Sequence, residues 1–201
     1  MTLDTNQQSG KDQGCLFVIS GPSGVGKGTL VSAALAELPD LALSISATTR
    51  APRPGDVEGV SYHFISDDAF DALIANDALL EWAEVHGNRY GTPTDKVRAA
   101  LDEGRDLILE IDMQGFEQVR QRMPEACGIF IAPPSLEELK RRLEHRATES
   151  AETIERRLGA AEMEMQAQER YNAVIVNDDL DRATQELLGI IRSHHGSRTS
   201  P

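Results

Sequence analysis

Short apolar runs alternate with amphipathic stretches along most of the chain. Nearly continuous apolar runs at 16–20, 42–46, 106–111, 128–132 and 173–176 predict strands covered on both faces. Between them, the stretches 29–38, 113–123, 135–145, 152–171 and 180–193 space their apolar residues as helices do. Ser135 with Glu138 has the form of a capping box and fixes one helix start. This alternation predicts an α/β fold in three layers, a mostly parallel sheet with helices on both faces. The segment 48–96 breaks the rhythm. It holds a polar turn at 50–55, the run Tyr62-His63-Phe64-Ile65, a helix pattern at 67–76, a stretch at 79–85 that suits a strand or a helix end, and a turn at 88–93. Such an excursion predicts a small inserted lobe for a second ligand on a core made of 15–47 and 97–193.

The ends and the overall charge narrow the classes. Residues 1–14 are polar and lack an apolar centre, so they read as a disordered tail rather than a signal peptide. Residues 194–201 read as a flexible tail in which His194 and His195 are solvated. No apolar run approaches the length of a membrane span, 201 residues suit one domain, and the cytoplasm is the expected compartment. A net charge of −13 argues against nucleic acid or an anionic membrane as partner. It also makes local clusters of arginine informative. Cys15 and Cys127 lie in apolar runs and read as buried free thiols.

The sharpest signal is Gly21-Pro22-Ser23-Gly24-Val25-Gly26-Lys27-Gly28-Thr29, between an apolar strand pattern and a helix pattern. Glycines let successive backbone N–H groups curl toward one anion, and a helix N-terminus adds its own unsatisfied N–H groups. Lys27 supplies a mobile charge for the outer phosphates of a nucleotide. The residue after such a lysine usually carries a hydroxyl for Mg²⁺, but here it is Gly28. Either Thr29 reaches the ion or its water shell, or ATP phosphates and water hold it.

Three further groups carry candidate chemistry. Arg50 and Arg53, between prolines, can fork onto one phosphate; two solvated arginines are the bland alternative. Glu81 lies among apolar residues with Tyr62, Arg89, Tyr90 and Thr92 in reach. A carboxylate there needs donors, and guanine offers an adjacent pair that adenine lacks. Half-buried core tyrosines and a solvated Glu81 are the alternative. Lys140, Arg141, Arg142, Arg146, Arg156 and Arg157 form a basic group around the polar stretch 145–152, which can act as a mobile lid or simply be a solvated helix. Glu110 and Asp112, at a strand end and on one face by the period of two, stand where parallel sheets bind ligands, and Asp112 is placed to orient Mg²⁺-bound water.

The segments GPSGVGKGT, SATTRAPRPGDVEGVSYHF, LLEWAEVHGNRYGTP, LILEIDMQG, IFIAPPS, LKRRLEHR and VIVNDDLD occur in the order found in guanylate kinases, and the chain resembles that family from residue 16 to about 192. The resemblance implies a phosphate-loop kinase with an inserted GMP-binding lobe at about 48–96 and a helical lid at about 145–157. It implies ATP and GMP as substrates and Mg²⁺ carried with ATP. By position, Ser46, Glu81 and Thr92 look like guanine readers, and Arg50, Arg53, Tyr62 and Tyr90 like the GMP phosphate clamp. The loop from Gly21 to Thr29 looks like the ATP cradle, with Asn177 beside the adenine. Lys27, Arg142, Arg146 and Arg157 look like the groups around the transferred phosphoryl unit, and Asp112 like an acidic residue near GMP and the metal. Gly28 departs from the family's usual Ser, and Ala147 stands where Gly often follows the lid arginine. Two rival readings are a kinase for another monophosphate and a scaffold-type binding module; Glu81 speaks against the first, and Lys27 with Arg50 and Arg53 against the second.

Overall fold

The computed structural model describes residues 13–85, 87–145 and 151–196. Its centre is a five-stranded sheet in which β1 (Leu16–Ser20) lies between β7 (Asp106–Glu110) and β8 (Cys127–Ala132). β2 (Leu41–Leu43) and β9 (Ala173–Val176) form the edges, and all four pairings are parallel. Side chains of β1 alternate between two cores, as the strand period requires. Phe17 and Ile19 pack with α1 (Lys27–Glu37) and α7 (Leu180–Gly196). Leu16 and Val18 pack with α3 (Thr94–Asp102) and α4 (Met113–Arg122). The predicted three layers are therefore present. Among the described residues no helix is long and apolar enough to cross a membrane.

A second sheet has the order β4-β3-β6-β5: β3 (Ala47–Thr48), β4 (His63–Phe64), β5 (Leu79–Val85) and β6 (Asn88–Pro93). The predicted turn at 88–93 is thus a strand. Pairing with both β3 and β5 overrides the turn-like Asn, Gly and Pro of this stretch. Helix α2 (Asp67–Ala75) precedes β5, capped by the Ser66 hydroxyl, which accepts from the Ala69 N–H at 3.2 Å.

Other elements also differ from the sequence pattern. Thr94–Asp102 forms a helix that the pattern did not single out. Strand β7 ends at Glu110, and Asp112 is instead the N-cap of α4, accepting from the Gly115 N–H at 2.9 Å. The Ser135 hydroxyl accepts from the Glu138 N–H at the start of α5 (Leu136–His145), but the Glu138 carboxylate is taken by Arg141 and Arg142, so half of the expected capping box forms. α5 packs on α6 (Ala151–Gln166) through Leu139, Leu143, Ile154, Leu158 and Ala161. Most of the expected 1–14 tail lies outside the described residues, but the Gly14 N–H donates to Leu101 O. His194, expected to be solvated, sits at the end of α7 edge-on to Phe17, 5.6 Å between ring centres. Cys15 and Cys127 are buried free thiols, as expected, and burial pushes the Cys127 thiol up to about 11.

The second core is sealed by Tyr171, stacked on Phe116 with ring centres 3.9 Å apart. Gly128 lies under this stack, and a Cβ there would stand 2.4 Å from Phe116 Cε2. Gly128→Ala is expected to destabilise the protein by about 1–3 kcal/mol through overpacking. Urea unfolding of the two proteins checks this; equal midpoints would mean that the rings yield freely.

Candidate active site

The turn after β1 is shaped by close approach. Gly21 has φ 146°, and a Cβ on it would lie 2.2 Å from Ile131 O. Gly26 has φ 96°, and a Cβ there would meet Asn177 Nδ2 at 2.7 Å. Gly26 caps α1 without a side-chain acceptor, so no capping side chain occupies the first N–H groups of that helix. Lys27 curls back over the loop, its Nζ donating to Gly21 O at 2.6 Å and Pro22 O at 3.2 Å. Burial lowers its pKa, opposed by Glu110, Glu164 and Asp112.

A cavity of about 320 Å³ follows the loop from Ser23 to Thr29 and reaches Glu110. A Cβ on Gly28 would meet the Glu110 oxygens at 3.5 and 3.7 Å, ordinary contact, so nothing steric demands glycine there. The nearby oxygen donors are the Thr29 hydroxyl and the carboxylates of Glu110 and Asp112. They suit Mg²⁺ as hard ligands. Among the described residues no three His, Cys, Asp or Glu side chains converge into a cage. Such a set fits an ion held chiefly by phosphates and water.

On the α5 side, a cavity of about 400 Å³ is lined by Gly24, Gly26, Thr29, Arg142, Asn177 and Leu180, among others. Asn177 is buried, and its Nδ2 donates to Val25 O at 2.8 Å. Arg142 donates to Val25 O at 3.3 Å and to Asn177 O at 3.0 Å, held from behind by Glu138 at 2.9 Å. Hydrogen bonds from Arg141 and Arg142 depress the Glu138 carboxyl to about 2. Arg141, a member of the basic group, also lines this cavity, together with His145 and Asp178, to which the sequence pattern assigned no role. Arg157 lies on α6. Arg146, Ala147 and much of the expected lid lie outside the described residues.

A third cavity, of about 260 Å³, joins Lys27, Glu110 and Asp112 to Glu81 and Tyr90 of the small sheet and to Ser46 and Tyr62, which directly precede β3 and β4. Glu81 is 5% exposed, and its Oε1 accepts from the Thr92 hydroxyl at 2.6 Å. Burial raises its pKa from 4.5 to about 7, opposed by Thr92 and reinforced by Asp112. Tyr62 and Tyr90 meet edge-on at 5.7 Å, with the Arg50 guanidinium 5.3 Å above the Tyr62 ring. One oxygen of Asp56, a residue the sequence did not flag, accepts from Arg50 Nη2 at 2.9 Å and from the Arg53 N–H at 2.8 Å. The Arg53 side chain is exposed.

Arg89 has other partners. Its guanidinium bonds Asp71, and Asp67 through both the carboxylate and the backbone oxygen, while lying 5.0 Å above the Phe70 ring. It ties α2 to β6 and does not line the cavity that holds Tyr90. Glu164 of α6 faces Lys27 and Asp112 electrostatically, and burial raises its pKa. No spacing marked it, because it lies in a helix rich in glutamate.

One family model, guanylate kinase, matches the chain over residues 13–194. The chain belongs to the guanylate kinase family. Guanylate kinase of Rubrobacter xylanophilus is 51% identical over 180 residues, covering 90% of this chain and 94% of that protein. The Streptomyces coelicolor enzyme of the same name is 53% identical over 175 residues, covering 87% and 89%. The crystal structure of guanylate kinase from Anaplasma phagocytophilum superposes with a TM-score of 0.72 at 34% identity, covering 92% of this chain and 87% of that one.

Glu81 carries a pH signature. Between pH 4.5 and about 7 the folded chain keeps a proton there that the unfolded chain has released. Stability from this group is therefore lost as pH rises through that window. Glu81→Gln removes the effect, so the variant is expected to gain on the wild type by up to roughly 3 kcal/mol between pH 4.5 and 7.5. Urea unfolding across this range reads it out; a constant difference would place Glu81 in an ordinary solvated setting.

Proposed function

We propose that this protein transfers the terminal phosphoryl group of ATP to GMP, reversibly giving ADP and GDP, with Mg²⁺ accompanying ATP. The observation that carries this reading is Glu81: a buried carboxylate, aligned by Thr92, on the wall of the cavity shared with Lys27. Guanine presents a ring N–H and an exocyclic amine side by side, and a carboxylate accepts both. Ser46 and Thr92 supply hydroxyls beside it, and dGMP fits the same contacts. Arg50, Arg53, Tyr62 and Tyr90 would hold the GMP phosphate. Arg89 falls outside this set, because its guanidinium is turned to Asp67 and Asp71 of α2 and does not line the cavity. We take residues 48–96 as the GMP lobe and about 145–157 as the lid.

The chemistry needs no general base, since the attacking GMP oxygen is already anionic. It forms a bond to the γ-phosphorus while the bond to the β,γ-bridging oxygen breaks, and ADP leaves with that oxygen. The protein's task is alignment and neutralisation of charge. The α1 N-terminal N–H groups and Lys27 would hold the ATP phosphates, Asn177 would flank the adenine, and Arg142, Arg146 and Arg157 would neutralise the moving group. Mg²⁺ supplies further charge neutralisation when bound, with Thr29 and Asp112 available to it or to its water. Closing of the lobes excludes water that would otherwise accept the phosphoryl group.

A coupled ADP-release assay with GMP, dGMP, AMP, CMP and UMP tests the reading, with turnover of GMP and dGMP expected and AMP far behind. Equal rates with AMP would refute it. Lys27→Ala is expected to lower kcat by about 10²–10³-fold through lost phosphate stabilisation. Near-normal turnover would remove Lys27 from the reacting centre.

A further inference from the structure

We propose that Gln118 is a positioning residue for guanine recognition, its side-chain amide fixing the Trp82 peptide and with it the neighbouring Glu81 carboxylate. The inference rests on the reading of Glu81 given above and goes one layer behind it. β5 is the last strand of the small sheet, so β6 satisfies only one of its edges. At Trp82 the other edge is completed by a side chain. Trp82 N–H donates to Gln118 Oε1 at 3.1 Å, and Gln118 Nε2 donates to Trp82 O at 2.9 Å. This is the pair of bonds that an adjoining strand would make. Gln118 also donates at 3.4 Å to Gln114 O, within its own helix.

The helix that carries Gln118 touches the same stretch of β5 at a second point. Gly115 lies three residues earlier, on the same face of α4. A Cβ on Gly115 would stand 2.7 Å from Glu81 Oε2, so helix backbone closes directly over the carboxylate. Gly115 thus sets how near the carboxylate lies to α4, and Gln118 sets where along α4 the strand sits. Leu80 anchors β5 in the core just before Glu81. Past Glu81 apolar anchoring thins: Trp82 is 37% exposed and Val85 39%. The amide pair therefore holds the strand on the far side of the residue that must keep its aim. The same helix begins at Asp112, on the wall of the cavity, so Gln118 links the position of Glu81 to the core side of the cleft.

A merely stabilising role and a positioning role separate in kinetics. Gln118→Met keeps length and helix propensity and removes both bonds. Gln118→Glu keeps the acceptor for Trp82 N–H and loses the donor to Trp82 O. Steady-state assays of the full chain would vary GMP at saturating ATP and ATP at saturating GMP, alongside thermal melts. Gln118→Met is expected to raise KM for GMP about tenfold, the scale of two lost hydrogen bonds, with KM for ATP within about twofold; Gln118→Glu should fall between it and the wild type. The preference for GMP over IMP, which lacks the 2-amino group, should narrow in parallel. An unchanged KM for GMP in a folded Gln118→Met protein, or equal rises for both substrates, would overturn the proposal. Should Gln118→Met fail to fold, Gln118→Glu decides, and a wild-type KM for GMP there overturns it. Failure of the wild type itself to phosphorylate GMP would instead refute the functional reading beneath it.

Discussion

The parallel pairing of β1 with β7 is the constraint from which the cleft follows. Ile19 lies opposite Glu110, so the strand that feeds the glycine loop and the strand that delivers the acidic pair end at the same edge. Parallel strands leave that edge open to helix N-termini and loops, which is why such sheets bind ligands there. β8, on the other side of β1, brings Ile131 against Gly21 and forces the turn that curls the loop. The chain then leaves this edge after β2, builds the small sheet, and returns through α3 to β7. The cavity with Glu81 consequently faces the loop lysine, although the two are far apart in sequence.

That geometry concentrates charge of one sign. Glu110, Glu164 and Asp112 act on one lysine, and Glu81 lines the same cavity. Burial raises the pKa of three of these acids and lowers that of Lys27, each shift disfavouring the charged form. Phosphates reaching such a cleft need cations, and the arginines stand at its two ends. Arg142 is gripped by Glu138 beside Val25, and Arg50 by Asp56 over the Tyr62 ring. Each is oriented by its own carboxylate before any nucleotide arrives.

The sequence was most legible where local and long-range forces agree. β1, the loop and α1 follow from an apolar run, glycines and an amphipathic stretch, and their bounds moved by only a residue or two. The small sheet was hardest to read, because its strands are short and β6 carries Asn88, Gly91 and Pro93, which look like a turn. That misreading had a consequence for Arg89. On a strand, Tyr90 and Thr92 share one face while Arg89 takes the other, toward α2. Read as a turn, the three seemed to act together. Asp112 was placed on a strand face for a similar reason, whereas the helix that follows claims it as a cap. Glu164 and Asp56 left no local mark, since only tertiary contacts single them out from other acids.

The shared Asp56 oxygen would change what a phosphate meets at Arg50 if it binds there as proposed. The guanidinium already has a counter-ion at 2.9 Å, and the same oxygen fixes the Arg53 backbone. On the reading proposed for Arg50, arrival of a substrate anion there would be a trade of one negative partner for another. The net attraction gained is smaller than a bare arginine would give. In return the ordering of a long, floppy side chain is completed beforehand, and on the proposed reading departure of product would be eased because the arginine has somewhere to go.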